Sequence, residues 1–206
     1  MRWQRMLATV ATCSPLMIGC AADLGEGADG EEDGQGPGDV GGEQIDSEAL
    51  EEGVVRSVVN ATSEEEWVYM SLVDGAQLDV ADPKSDGDWD LAFLRFHIKL
   101  NGGDSGSAGV EAAIIEEADF EDVDVAPADG YMSDQPDGDD ENEDPDYVLR
   151  EWYAYNVMTH VLTPEQVVYV IHTGDGRHYK LQIEDYYDDA GTSGYPAFRW
   201  GPVDAS

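Results

Sequence analysis

Basic residues are scarce in this chain of 206 residues. Only 10 Lys and Arg stand against 46 Asp and Glu, which gives a formal net charge of −36. Proteins that bind nucleic acids place Lys and Arg on the phosphates, and attraction to an anionic membrane surface needs the same residues. The composition therefore excludes an electrostatic contact with either, and any attachment to a membrane has to be covalent.

Cysteine is also scarce, and the two cysteines, Cys13 and Cys20, both lie within the first twenty residues. Arg2 and Arg5 precede a mostly apolar stretch, Leu7–Ile18. This stretch is too short to span a bilayer, and with its basic start it is typical of a secretory signal. We therefore expect the protein to be exported.

The end of this stretch, Leu16-Met17-Ile18-Gly19-Cys20, resembles the lipobox of bacterial lipoproteins, in which a small residue precedes a cysteine that becomes diacylated. We expect residues 1–19 to be a lipoprotein signal peptide and Cys20 to be the lipid anchor. Cys13 is removed with the signal, so the mature chain has neither a disulfide nor a cysteine metal site. The alternative is that Cys20 is an ordinary thiol after an ordinary signal.

Residues 20–53 are interpreted as the lipidated cysteine followed by a disordered acidic linker. From Ala21 to Gly53 the chain is rich in Gly, Asp and Glu, has no Lys or Arg, and has few branched or aromatic residues. Such a segment cannot bury enough apolar surface to fold. The folded domain is therefore predicted to cover residues 54–206.

Long helical patterns are absent from this domain, which contains short β-rich runs separated by turns. The central run is Trp89–Leu100, where from Leu94 onward apolar residues alternate with Arg95, His97 and Lys99, the period of a half-buried strand. We expect an all-β, antiparallel, sandwich-like or barrel-like single domain of about eight or nine strands. The other predicted strands are Val54–Val59, Trp67–Leu72, Ala76–Val80, Val110–Ile115, Tyr147–Tyr155, Val167–Ile171, Tyr179–Asp185 and Phe198–Trp200.

The loop after the central run contains Gly103-Asp104-Ser105-Gly106, the tetrapeptide that surrounds the nucleophile of trypsin-like proteases. A serine nucleophile needs a histidine base held by a third group, and no histidine here has the sequence context found in those enzymes. We expect a tight structural loop and no enzyme activity. The chain also lacks HExxH and His/Cys zinc spacings, so His97, His172 and His178 are interpreted as structural.

Several short motifs occur in an order and at spacings that together resemble the HmuY family of bacterial haem-binding lipoproteins. They are Trp67-x-Tyr69, Trp89-Asp90-Leu91-Ala92, Leu100-Asn101-Gly102-Gly103-x-Ser105-Gly106, and the run from Tyr169 to Tyr186 that contains Lys180-Leu181-Gln182-Ile183. The resemblance implies an all-β lipoprotein anchored in the outer membrane, at the cell surface or the periplasmic face. It also implies haem as the cofactor and an outer-membrane haem receptor as a partner.

The resemblance further implies two axial haem ligands, histidine or methionine, in the segments before and after the strand near Trp152. In this chain those segments offer Met132, Met158 and His160, and thioether and imidazole are both ligands of haem iron. No metal beyond haem iron is expected. His160 has a structural alternative, in which it orders the turn before Thr163. The haem propionates favour basic partners, for which the candidates are Arg150, Arg177 and Lys180.

A second function stays open, that of a surface lipoprotein with the same fold that does not bind haem. In this alternative the acidic loop Asp134–Asp144 stays solvated or binds calcium through Asp137, Asp139 and Glu141. Carboxylates are calcium ligands, but the spacing is not that of an EF-hand.

Overall fold

The computed structural model describes residues 43–50, 53–138 and 145–206. The predicted signal peptide, Cys20 and most of the predicted linker lie outside the described residues, as do Asp139 and Glu141 of the acidic loop. In the described ranges the chain forms one short 3₁₀ helix, Phe120–Asp122, and twelve strands. These are β1 (Ile45–Ala49), β2 (Val55–Val59), β3 (Val68–Ser71), β4 (Ala76–Leu78), β5 (Leu91–Leu94), β6 (His97–Leu100), β7 (Glu111–Glu116), β8 (Tyr153–Asn156), β9 (Val161–Pro164), β10 (Val167–His172), β11 (His178–Tyr187) and β12 (Ser193–Pro202).

The strands form three antiparallel sheets. Six strands make one sheet in the order β1-β2-β12-β11-β10-β7, four make a second in the order β4-β3-β5-β6, and β8 and β9 form a separate hairpin. The two larger sheets share one apolar core, in which Phe93 of β5 stacks on Phe198 of β12 with 5.2 Å between ring centroids. The predicted all-β antiparallel fold is confirmed, with twelve strands instead of eight or nine.

Helices contribute little to the described part of the chain. In residues 43–50, 53–138 and 145–206, no helix is long and apolar enough to cross a membrane.

The predicted central strand, Trp89–Leu100, is wrong as a single element, because the chain reverses inside it. Leu94 pairs with His97 across a two-residue turn, so β5 and β6 form a hairpin. Arg95 in this turn has a positive φ of 54°, as tight hairpins require. Its guanidinium donates to the Thr62 carbonyl at 3.2 Å and to Ser193 Oγ at 3.0 Å. These contacts stabilise Arg95 at a turn position where glycine or asparagine is the usual residue, and from which the turn could have been predicted.

Lys99 was predicted on the solvent face of the central strand and is in fact buried, with 8% of its surface exposed. Its ammonium lies 4.0 Å from the ring centroid of Trp67 and 5.5 Å from that of Trp89. Burial lowers the pKa of Lys99 to about 8. Cation–π contacts stabilise Lys99 in this buried position, although the alternating pattern predicted that its side chain would be exposed to solvent.

Two other predicted boundaries are wrong. The predicted linker, residues 20–53, overlaps β1, which pairs with β2 along its whole length. Pairing with a neighbouring strand orders residues whose composition alone predicts disorder. The predicted strand Tyr147–Tyr155 begins only at Tyr153, because residues 148–151 form a turn.

Trp152 fixes the point where the β8–β9 hairpin leaves the core. Its side chain is 1% exposed, and Nε1 donates to the Phe96 carbonyl in the β5–β6 turn at 2.9 Å. At the other strand of the hairpin, the Leu162 N–H donates to the hydroxyl of Tyr187 on β11 at 2.9 Å. The hairpin is thus attached to the main sheets at its base, and its turn is exposed.

Candidate functional site

A cavity of about 560 Å³ lies beside the edge strand of the six-stranded sheet. This edge strand is β7. The backbone of Met132 lies beside it and exchanges two hydrogen bonds with Ala112 of β7, at 2.8 and 2.9 Å. Gln135 and Asp146 exchange two more at 3.0 and 3.1 Å, which joins the Met132 segment to the opposite wall. The lining residues are Glu111, Ile114, Tyr131, Met132, Ser133, Gln135, Asp146, Tyr147, Val148, Arg150 and Glu151.

Asp134 ties the two walls of this cavity to the core. Its side chain is fully buried, and its carboxylate accepts the Leu100 N–H at 2.9 Å and the Val148 N–H at 2.9 Å. Burial raises the pKa of Asp134. Because Asp134 follows Met132 by two residues, these bonds determine where the Met132 backbone lies.

The cavity lining combines apolar and charged side chains. Ile114 and Met132 are partly exposed, at 39% and 48%, so the cavity wall presents apolar surface. Arg150 is the one cation among the lining residues, and it forms ion pairs with Asp146 and Glu151. The arrangement can enclose an apolar ligand and offer it a thioether and a partly neutralised guanidinium.

Met158 and His160, the other two predicted ligands, lie in the turn of the β8–β9 hairpin. Met158 is 85% exposed. Asn156 Oδ1 accepts the Met158 N–H at 3.0 Å, and the Asn156 carbonyl accepts the His160 N–H at 2.8 Å. His160 has a positive φ of 57° and its Nδ1 shares a hydrogen bond with the Tyr155 hydroxyl.

The structure therefore brings Met158 and His160 together in one turn and places Met132 in the cavity. Neither hairpin residue belongs to the cavity lining. The hairpin begins at Tyr153, two residues after the lining residue Glu151. The predicted ligand set stays a prediction.

Of the three basic residues considered for the propionates, only Arg150 lines the cavity. Arg177 pairs with Asp175 at 3.1 Å in the β10–β11 turn. Lys180 is buried and donates to the Phe120 carbonyl at 2.9 Å. The contacts of Arg177 and Lys180 are those of structural residues.

The Gly103–Gly106 loop is structural as well. Asn101 is fully buried, and its Oδ1 accepts the Ser107 and Ala108 N–H groups at 2.9 and 3.2 Å. A Cβ on Gly106 would collide with that same oxygen, so only glycine fits this close approach. Ser105 is 5% exposed.

Sequence reasoning missed a cluster of three rings next to the cavity. His172 and His178 stack across β10 and β11, and the ring of Tyr131, a lining residue, contacts both. A signal was present: a turn centred on Gly174-Asp175-Gly176 places residues 172 and 178 opposite each other. The absence of a zinc-binding spacing in the sequence leads instead to the interpretation of both histidines as structural.

A model of the family described as HmuY protein matches residues 63–200. The chain belongs to the HmuY family. This confirms the resemblance seen in the motifs, and because HmuY proteins are not enzymes, it agrees with the prediction that the protein has no enzyme activity. No curated protein sequence matches the chain.

Solved structures show the same fold as this member of the HmuY family. The apo form of a HmuY analogue from Tannerella forsythia has a TM-score of 0.58 at 19% identity, and the match covers 78% of this chain and 97% of that one. A predicted lipoprotein from Bacteroides fragilis has a TM-score of 0.55 at 19% identity, covering 75% and 91%. A predicted HmuY-like haem-binding protein from Bacteroides vulgatus has a TM-score of 0.54 at 18% identity, covering 72% and 91%.

Proposed function

We propose that this protein is a haem-binding lipoprotein that acts in haem acquisition, with Cys20 as its anchor in the outer membrane. The observation that carries the proposal is the thioether of Met132 in the wall of the cavity next to β7. Membership of the HmuY family supports it, and one of the solved structures with this fold is described as HmuY-like and haem-binding.

The cavity fits haem in size and chemistry. Its volume of about 560 Å³ lies within the range of roughly 300–1,000 Å³ found for cofactor sites, which are mostly apolar with a few polar groups. Ile114, Tyr131 and Val148 supply apolar surface in the lining. Haem would supply an iron that accepts side-chain ligands, and the thioether of Met132 would be suited to be one of them.

Met158 or His160 is our candidate for the second ligand. Met158 has an exposed thioether. The Nδ1 of His160 shares its hydrogen bond with the Tyr155 hydroxyl, so Nε2 can bind iron in the tautomer in which Nδ1 carries the proton. The hairpin turn is exposed, which leaves it room to approach the cavity. Met132 with Met158 gives a bis-thioether site, and Met132 with His160 gives a mixed site.

Charge sets the expected kinetics of haem capture. Three carboxylates, Glu111, Asp146 and Glu151, line the cavity beside Arg150, and the whole chain has a formal net charge of −36. Haem propionates are also anionic, so long-range repulsion slows their approach at low ionic strength. Arg150 can accept one propionate only by loosening its ion pairs with the neighbouring carboxylates.

The test is a titration with equimolar haemin, using a chain that starts at residue 20 and carries Cys20→Ser. We expect a sharp low-spin Soret band, and tighter binding after reduction with dithionite, because thioether is a better ligand for ferrous than for ferric iron. Added salt should speed association, since it screens the repulsion between like charges. Met132→Leu should abolish the low-spin spectrum while it preserves side-chain volume.

Met158→Leu and His160→Asn identify the second ligand, because only one of them should change the low-spin spectrum. Val157→Leu is the matched control in the same turn and should behave as the wild type. Circular dichroism should show an unchanged β-rich fold for all four variants. Absence of a spectral change in both redox states would overturn the proposal and favour the surface lipoprotein without haem, for which calcium titration is the next measurement.

A further inference from the structure

His172 and His178 form a cross-strand pair on the outer face of the six-stranded sheet. They are register partners in the β10–β11 hairpin. The next pair toward the turn, Thr173 and Arg177, is joined by the bond from the Thr173 N–H to the Arg177 carbonyl at 2.9 Å. Because hydrogen-bonded and non-hydrogen-bonded pairs alternate in antiparallel sheets, the two histidines occupy a non-hydrogen-bonded pair. Their side chains therefore lie as close together as a sheet allows.

The two imidazole rings are arranged side by side. Their centroids are 4.6 Å apart and the ring planes differ by 12°. Both residues are half-buried, and neither ring has a hydrogen bond to another residue in the part of the chain that the structure describes. Burial, and then the neighbouring His172, lower the pKa of His178.

Tyr131 and Glu111 complete the surroundings of the pair. The Tyr131 ring lies 5.8 Å from that of His172 and 5.9 Å from that of His178. Its hydroxyl is buried and has no hydrogen-bond partner among the described residues. Glu111 on β7 is the register partner of His172 on its other side. The histidines thus stand between an aromatic wall and an acidic side chain.

We infer that His172 and His178 form a binding site for a divalent late transition metal ion such as Zn²⁺ or Cu²⁺. Imidazole is a preferred ligand of these ions. The 4.6 Å between the ring centroids is close to the separation of two nitrogens that share one ion, which is at most roughly 4 Å because each Zn–N bond is about 2 Å long. No group of three or more His, Cys, Asp or Glu side chains in the described ranges is placed to hold a metal, so two protein ligands and solvent make up the coordination sphere. The strong negative charge of the chain raises the local concentration of cations.

The test uses thermal unfolding of the chain that starts at residue 20 and carries Cys20→Ser, in which no thiolate is available. An ion that binds only the folded state raises the Tm. We expect ZnCl₂ to raise the Tm of this protein more than MgCl₂ at the same concentration, and His172→Asn and His178→Asn each to lose the difference. His160→Asn, which changes a histidine in the β8–β9 turn, should keep the full response to zinc.

Electron paramagnetic resonance of the Cu²⁺ form provides a second measurement that does not depend on stability. Two imidazole nitrogens should appear in the hyperfine pattern of the starting protein, and one in each single variant. Equal responses to Zn²⁺ and Mg²⁺, or an unchanged Cu²⁺ spectrum in His172→Asn, would overturn the inference and indicate binding to surface carboxylates. The site shares no ligand with the proposed haem site, so the two proposals fail separately.

Discussion

Asp90 shows how a single buried charge organises the ends of strands in this protein. It is 6% exposed, and its carboxylate accepts the Leu72 N–H just after β3 at 2.8 Å. Its own N–H donates to the Met70 carbonyl at 2.8 Å. Burial raises the pKa of Asp90 to about 6, against the opposing effect of the hydrogen bonds from Leu72 and Val73.

The raised pKa of Asp90 predicts a pH dependence of stability. Between about pH 4, the ordinary pKa of aspartate, and pH 6, the folded state binds a proton that the unfolded state has released. The free energy of unfolding therefore falls as the pH rises through this window, by about 3 kcal/mol for a shift of this size. Asp90→Asn should remove this slope, so the variant should gain stability relative to the wild type from pH 4 to pH 7, measured by urea unfolding.

Asp188 is the matched control, because its pKa is shifted the other way. Hydrogen bonds to its carboxylate, first that from the Thr192 N–H, lower the pKa of Asp188. Its contribution to stability is present above the ordinary pKa and is lost as the pH falls. Asp188→Asn should therefore lose stability relative to the wild type as the pH rises from 3 to 7. Parallel slopes for the two variants would contradict the burial argument for Asp90.

At the scale of elements, the sequence predicted strands well where the local pattern matched the environment. The run Tyr179–Asp185, with its clean alternation, lies within β11, and Val167–Ile171 lies within β10. The strand prediction failed at the β5–β6 turn, because long-range contacts, and not local residue preference, stabilise Arg95 there. The Met132 position in the cavity depends likewise on the buried hydrogen bonds of Asp134, which link residues far apart in sequence and leave no periodic signal.

The attachment of the β8–β9 hairpin makes a prediction at this scale. Tyr187→Phe removes the hydroxyl that accepts the Leu162 N–H and leaves a partly buried donor unpaired, which costs about 1–3 kcal/mol. Because the hairpin forms its own small sheet, we expect local opening. Hydrogen exchange at Leu162 should accelerate, while amides of β10 should keep their protection.

Tyr155→Phe is the control for this hairpin experiment. It also removes a tyrosine hydroxyl, the one bonded to His160, but that contact lies in the exposed turn and leaves the base of the hairpin attached. Protection of the Leu162 amide should be unchanged in this variant. Equal acceleration in both variants would show that the Tyr187 bond is not what holds the hairpin.

At the scale of the whole molecule, charge and anchoring are linked. A chain with a formal net charge of −36 is repelled by anionic lipid. The amino-acid composition alone predicts this repulsion. The proposed means of membrane attachment is therefore a covalent lipid at Cys20, at the end of the lipobox-like sequence.

Detergent partitioning tests the anchor directly in the cells that make the protein. If Cys20 carries a diacylglyceryl group and an amide-linked chain, the apolar area of several acyl chains is enough for stable membrane attachment, since each buried CH₂ contributes about 0.8 kcal/mol. The wild-type protein should then enter the detergent phase of a Triton X-114 separation, and Cys20→Ser should stay in the aqueous phase. Cys13→Ser, which changes the other cysteine within the predicted signal, should partition like the wild type. If the wild type and Cys20→Ser partitioned equally, Cys20 would be an ordinary thiol, and the proposed attachment to the outer membrane would have no physical basis in this chain.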